Sequence, residues 1–262
     1  MVRLSALPLF MRIFFKEMPN IFKYGHSSIF LWVVLSQAIT PDKKTIKNQG
    51  KWIPPMIKEW KVRRFLSASY WSIHLIIFWF VERLISCLPQ PSDQSIFIIV
   101  DGSHKSKTGK QGPFNQKGKF KTNGGWFFGI KFVVIMFYWN NFRIPVNFRV
   151  VKKKDSEGYK TENQLFREML DEIKLPDWAT LAIVCGDAGF ASKDNLKKIA
   201  SMGTKEQKWG YVFSLPRTWN LENGQQLRDI VKHLTRANFR KTWIPSLSKN
   251  KKRKFFWVHR KE

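Results

Sequence analysis

Acidic side chains are scarce in this 262-residue sequence: 19 Asp and Glu stand against 46 Lys and Arg, a net charge of +27. A folded chain rarely carries such an imbalance without a polyanionic partner. Neutralising phosphates and releasing their counterions is the usual physical reason for it, and an anionic membrane surface is the competing one. Cysteine is nearly absent. Cys87 and Cys185 lie in apolar runs at a spacing that fits no zinc pattern, and they read as two buried, reduced thiols of a cytosolic protein. No signal-peptide cleavage site follows the basic, apolar stretch Met1–Lys16. Long uninterrupted apolar runs are also missing. Ser28–Ile39 is too short to cross a bilayer, and Phe65–Leu88 contains His74, Glu82 and Arg83, whereas a spanning helix wants about 20 predominantly apolar residues. Both read as buried helices of a bundle, so no membrane partner is expected. Residues 1 to about 90 also lack low-complexity tracts and internal repeats. Disorder is excluded by an apolar content of 44%, with 15% aromatic.

What is there divides into three stretches. Residues 1–92 read as a helical region, with apolar runs near Ile21–Ile39 and Trp60–Leu88 separated by Pro41 and by Pro54-Pro55. Pro89, Pro91 and Ser92 punctuate its end. Residues 93–215 change character. Ile96–Val100 is a short apolar, β-branched run that stops at Asp101-Gly102, the pattern of a strand buried on both faces. A Lys- and Gly-rich loop is expected over Ser103–Gly125. Strands are then expected at Trp126–Trp139 and Arg143–Val151, joined as a hairpin through Asn140–Phe142. Leu165, Phe166, Met169, Leu170 and Ile173 follow helical spacing, with Glu162, Arg167, Glu168, Asp171 and Glu172 outside the stripe, and Pro176 ends that helix. Leu181–Cys185 is a further strand, closed by Gly186–Gly189. Ser192 is placed to cap a helix through Leu196 and Ile199 that stops at Gly203, and Trp209–Leu215 reads as one more strand. This order predicts an α/β domain with a mixed sheet: a meander, then a helical crossover to a strand parallel to the first. Residues 216–262 read as strand-and-loop material with a basic run, Lys249–Lys254, before the apolar Phe255–Val258.

Two acids stand out by position. Asp101 directly follows one apolar strand, and Asp187 follows another after a single Gly. Functional groups of such sheets gather outside the carboxyl ends of strands. Two converging carboxylates with open positions suit Mg2+ or Mn2+ and leave room for phosphate oxygens. Either Asp alone reads better as a turn residue. The pair gains weight because both end the most apolar strands, and because Lys105, Lys107, Lys110, Lys117, Lys119 and Lys121 follow Asp101, a pattern suited to a phosphate backbone. The bland alternative is a solvated loop. His104 reads as a loop histidine, His74 as a satisfied core histidine, and most of the 12 tryptophans as core.

Ile98–Ser103, followed by Lys107-Thr108-Gly109-Lys110, resembles the first acidic motif of DDE transposases from bacterial insertion sequences, of the insertion-sequence-four type. Val184–Phe190 resembles the second. Gly129–Val134 and Ile144-Pro145-Val146 between them also resemble this group, and the helical first third resembles its DNA-binding region. The resemblance implies an RNase H-like core preceded by a helical DNA-binding region and followed by the start of a β-rich insertion. It implies a cytoplasmic protein acting on chromosomal DNA. Its partners would be double-stranded DNA, as element terminal repeats and target, with a homodimer holding two ends. Its chemistry would be Mg2+- or Mn2+-dependent cleavage and joining, with Asp101 and Asp187 holding the metals.

The family's third acid is missing. It is a Glu on a late helix, in a pattern of Tyr, two residues, Arg, three residues, Glu, and then Lys after six more. Tyr211 has Ser214 where Arg is required, Glu222 lies in a turn-like segment, and Glu262 has the wrong spacing. The expectation is therefore a truncated reading frame with weak or absent catalysis in isolation. The second expectation, from another class, is a catalytically inactive DNA-binding protein derived from a transposase.

Overall fold

The computed structural model describes residues 7–16, 18, 22, 26–41, 45–52, 54, 57–69, 71–107, 114–119, 125–214, 226, 240–244 and 253–257. The first third is helical: α1 (Leu9–Phe14), α2 (His26–Ile39), α3 (Ile46–Gln49), α4 (Glu59–Ala68) and α5 (Ile73–Cys87). Thr45 and Ser72 open α3 and α5 by accepting the backbone N–H groups of Asn48 and Leu75, which satisfies donors that have no partner inside a helix. Two small apolar clusters hold these helices together, one around Met11, Trp32, Leu35 and Val62, the other around Phe22, Phe65 and Ile76. Phe65 stacks on Trp71 with ring centroids 5.6 Å apart. The apolar run Phe65–Leu88 is not one helix: α4 and α5 meet at a bend of 102°. Among the described residues no single helix is long and apolar enough to cross a membrane.

Among the described residues eight strands follow: β1 (Ser95–Ser106), β2 (Gln116–Lys119), β3 (Trp126–Trp139), β4 (Phe142–Val151), β5 (Leu181–Gly186), β6 (Lys208–Phe213), β7 (Arg240–Ile244) and β8 (Arg253–Trp257). Helix α6 (Glu162–Glu172) precedes β5, and α7 (Lys193–Ser201) lies between β5 and β6. β1 pairs antiparallel with β3 and parallel with β5, β3 pairs with β4, and β5 runs parallel to β6. The sheet therefore reads β4-β3-β1-β5-β6, three antiparallel strands continued by two parallel ones, with β2 paired to the far end of β3. This is the mixed, RNase H-like arrangement, with β1 at its centre. β7 and β8 form a separate antiparallel pair.

Local chemistry explains each element. Asp93 accepts the N–H and the hydroxyl of Ser95 at 3.1 and 2.7 Å, where β1 begins. Asn140 and Asn141 turn the β3–β4 hairpin with φ of 43° and 66°, the left-handed pair a two-residue turn demands. Asn tolerates it better than other residues that carry a side chain, so the turn forms here without a glycine. Thr161 and Gln164 close a capping box on α6. Ser192 caps α7. The core lies between the sheet and these helices: Ile96, Ile98 and Val100 of β1, Val133, Ile135 and Phe137 of β3, and Ala182 and Val184 of β5 meet Phe166, Met169 and Leu170 of α6 and Ile199 of α7.

β1 is longer than its apolar run. Asp101–Ser106, expected as part of a loop, continue the strand opposite Gly129–Val134. Polar residues are stable there because β5 pairing stops at Val100, so this tail borders solvent rather than core. β2 likewise lies inside the expected loop. The thiols also differ from expectation: Cys87 is exposed on α5, and Cys185 is half-buried, with burial raising its pKa.

Helix α5 packs on β4 through a polar knot. Arg149 donates to both carboxylate oxygens of Glu172 at 2.5 Å, to Asn147 Oδ1 at 2.7 Å and to the Phe148 carbonyl at 3.0 Å, and it lies 3.1 Å from His74 Nδ1. Asn147 donates to Glu172 at 2.9 Å. Burial and then the Arg149 charge hold the His74 pKa below its ordinary 6.5, against the opposing pull of Glu172. Burial pushes the Glu172 carboxyl up, but hydrogen bonds from Asn147 and Arg149 and the charges of Arg149 and His74 outweigh it, leaving the pKa below its ordinary 4.5. In the pH range where they titrate, both groups bind more protons when unfolded, so acid weakens the fold. The His74 contribution is complete above 6.5 and is lost as pH falls through its folded value; the Glu172 contribution is lost in the same way below 4.5. Urea midpoints are expected to fall in two steps as pH drops, and His74→Asn is expected to remove the upper step and to diminish the lower one, because the His74 charge helps to lower the Glu172 pKa.

Candidate active site

Asp101 and Asp187 are brought together by strand register. Val100 faces Gly186 across the parallel β1–β5 ladder; Asp101 is the next residue of β1, and Asp187 is the first residue beyond β5. Neighbouring strands lie about 4.8 Å apart, so the two backbones carry their carboxylates side by side at the sheet's edge. Both side chains are exposed. Side chains alternate along β1, so Asp101 shares a face with Phe97 and Ile99, opposite the core face of Ile98, Val100 and Gly102. Gly186 admits no side chain at this point, because a Cβ would stand 2.6 Å from a Phe213 ring carbon and 2.7 Å from Val100 Cγ1.

The turn reading of Asp187 also holds. Its Oδ1 accepts the Gly189 N–H at 2.9 Å, and its carbonyl accepts the Phe190 N–H at 3.1 Å. Phe190 is then buried edge-on against Phe166, ring centroids 5.6 Å apart. The turn and the ring contact fix the loop that presents the carboxylate.

A third acid lies close by, on the other face. Glu162, the first residue of α6, places Oε2 2.6 Å from where a Cβ on Gly102 would stand. Its Oε1 accepts from Lys131 Nζ at 2.5 Å. Sequence reading left Glu162 among the solvent-side residues of α6; the capping pair Thr161 and Gln164 signals a helix start, but nothing local says where that start points.

The lysines separate. Lys105 and Lys107 are exposed on and just beyond the β1 tail, and Lys117 lies exposed on β2 with its ammonium 4.5 Å from the centroid of the Trp126 ring. Lys119 is a backbone member of β2 opposite Trp126. Lys110 and Lys121 fall outside the described residues. His104 is exposed on the β1 tail, in register with Lys131. Trp126 is itself 61% exposed, unlike the buried Trp32 and Trp139 expected of core tryptophans.

Two adjacent exposed carboxylates fit a largely hydrated divalent cation, which keeps several waters and needs only one or two carboxylates from the protein. They do not make a closed metal cage. Among the described residues, no group of three or more His, Cys, Asp or Glu side chains is arranged to hold a metal ion.

No curated protein matches the chain. Among solved structures it is similar to the piggyBac transposase in a synaptic complex with hairpin DNA, determined by cryo-EM, with a TM-score of 0.42 and 10% identity. That match covers 84% of this chain, and the chain spans 46% of the length of that one. The family model described as the transposase DDE domain matches residues 92–253, more than half of the sequence and nearly all of the sheet. The chain belongs to the transposase DDE domain family.

Proposed function

We propose that this chain is the DNA-binding and partial catalytic region of an insertion-sequence-four type transposase, which acts on double-stranded DNA at element ends and target. The observation that carries the reading is the β1–β5 register, which sets Asp101 beside Asp187 at the edge of the sheet. In this reading the two carboxylates hold Mg2+ or Mn2+, and the bound ion supplies charge stabilisation at the scissile phosphate and a more acidic attacking hydroxyl. The protein's own part is positioning. The Phe190 anchor and the Asp187–Gly189 turn hold one carboxylate, while the β3 ladder holds the strand that bears the other. Lys105, Lys107 and Lys117 border the approach with positive charge, which steers and neutralises a phosphate backbone. The late Tyr–Arg–Glu–Lys pattern is not within the 262 residues. In this reading the chain binds DNA ends, and the two carboxylates by themselves hold the ion weakly. Two ends call for two copies, and the site of action is chromosomal DNA in the cytoplasm.

Calorimetric titration with Mn2+ tests the acid pair. One weak site is expected for the unaltered chain, lost in Asp101→Asn and lost equally in Asp187→Asn. A site surviving either substitution would show that the two carboxylates do not act together. DNA binding with no cation site at all would leave the non-catalytic DNA-binding reading in its place.

A further inference from the structure

Glu162 and Lys131 form an ion pair against the β1 tail, and neither belongs to the acid pair described above. Both are partly open to solvent, at 36% for the Lys131 side chain and 32% for that of Glu162. Lys131 lies on β3 in register with His104, three residues beyond Asp101 on the neighbouring strand. At roughly 3.4 Å per residue this is about 10 Å from the acid, along the strand. Phosphates of one DNA strand recur about every 3.4 Å of helix axis, so a backbone reaching Asp101 spans that distance within about three nucleotides. β1 has no β5 neighbour beyond Val100, so the outer side of the tail is open, and a strand passing that side would run beside both the Asp101 face and the opposite face that carries Glu162.

The anchoring of the pair is specific. Glu162 follows the Thr161 cap, so its backbone is fixed at the first position of α6. Its carboxylate occupies the space that a side chain at residue 102 would fill. One Lys131 N–H goes to Glu162, and an ammonium carries three. Holding a long lysine in place ahead of contact removes ordering cost from the binding step.

We propose that Lys131 contacts the sugar–phosphate backbone of the bound DNA strand near the acid pair, and that Glu162 is a positioning residue acting through it. This rests on the transposase reading given above. The test uses the full chain and a short DNA duplex in buffer free of divalent cations, with affinity followed against salt concentration. Lys131→Ala is expected to make the slope of log affinity against log salt shallower by about one, since each neutralised phosphate contributes about 0.9. Lys131→Arg is expected to keep it. Lys131→Met retains the packing of the stem and repeats the measurement should the alanine variant fold poorly. Glu162→Ala makes the protein more positive, yet it is expected to weaken binding several-fold. Tighter binding by that variant would mean that Glu162 merely competes with DNA for Lys131, and would overturn its positioning role. An unchanged slope in Lys131→Ala and Lys131→Met would overturn the contact. Absence of salt-dependent DNA binding by the unaltered chain would instead remove the transposase reading on which the proposal stands.

Discussion

Replacing Phe166 with alanine is expected to lower the unfolding free energy by about 3–5 kcal/mol, the cost of emptying a fully buried aromatic site. Phe166 has no exposed surface and lies in the cluster that joins α6 to the sheet. Its ring also meets Phe190 edge-on, a geometry that adds about 0.5–1.5 kcal/mol beyond burial. The consequence extends to the site, because Phe190 closes the turn that begins at Asp187. Cation affinity of the folded fraction is therefore expected to fall as well. Phe166→Leu refills most of the volume but not the edge-on ring contact. It should recover much of the stability and less of the cation affinity. Urea denaturation and Mn2+ titration on the same two variants separate these effects, and equal recovery of both would contradict the link between Phe190 and Asp187.

Gly129→Ala is expected to be comparably damaging, by a different route. A Cβ there would stand 2.1 Å from the Lys105 carbonyl oxygen and 2.9 Å from Ser106 Cα. All of these atoms are backbone, so no side-chain rotation can relieve the clash, and the β1 tail must separate from β3. Overpacking typically costs 1–3 kcal/mol and occasionally more; about 3 kcal/mol is expected here because the obstruction is main chain. The separation should be local. Amide exchange is expected to accelerate at Lys107, whose N–H donates to the Phe128 carbonyl at 2.8 Å, and along Gly102–Ser106, while Ile96, Ile98 and their partners on β5 stay protected. Gly102→Ala gives the contrast. Its nearest obstruction is the far end of the Glu162 side chain, which can swing away, so a small loss of stability is expected. Equal losses in the two variants would show that the ladder, and not the tail contact, sets the cost.

The strands, the two crossover helices and the hairpin turn were legible in the sequence because each is dictated locally. β-branched runs bounded by Gly or Asp made β1 and β5 visible, the 3.6-residue stripe made α6 visible, and Ser192 announced α7. The parallel relation of β1 and β5 was legible one step further, since a helical crossover between two buried strands returns the second parallel to the first. The extent of β1 was not. Asp101–Ser106 carry no apolar signal, and they become strand only because Gly129–Val134 run alongside and exchange backbone hydrogen bonds with them. The same holds for β2, whose four residues are strand by virtue of β3.

The sequence by itself determined the strongly positive net charge, the order of elements, and the two strand-end acids, because charge, periodicity and turn chemistry are properties of neighbouring residues. Only the tertiary structure decided that Glu162 reaches Gly102, that Lys131 pairs with it, and that Phe166 and Phe190 together hold the Asp187 loop. Those contacts join residues 24 to 60 positions apart on different elements. They arise from the packing of α6 on the sheet, which the whole core sets and no single segment encodes.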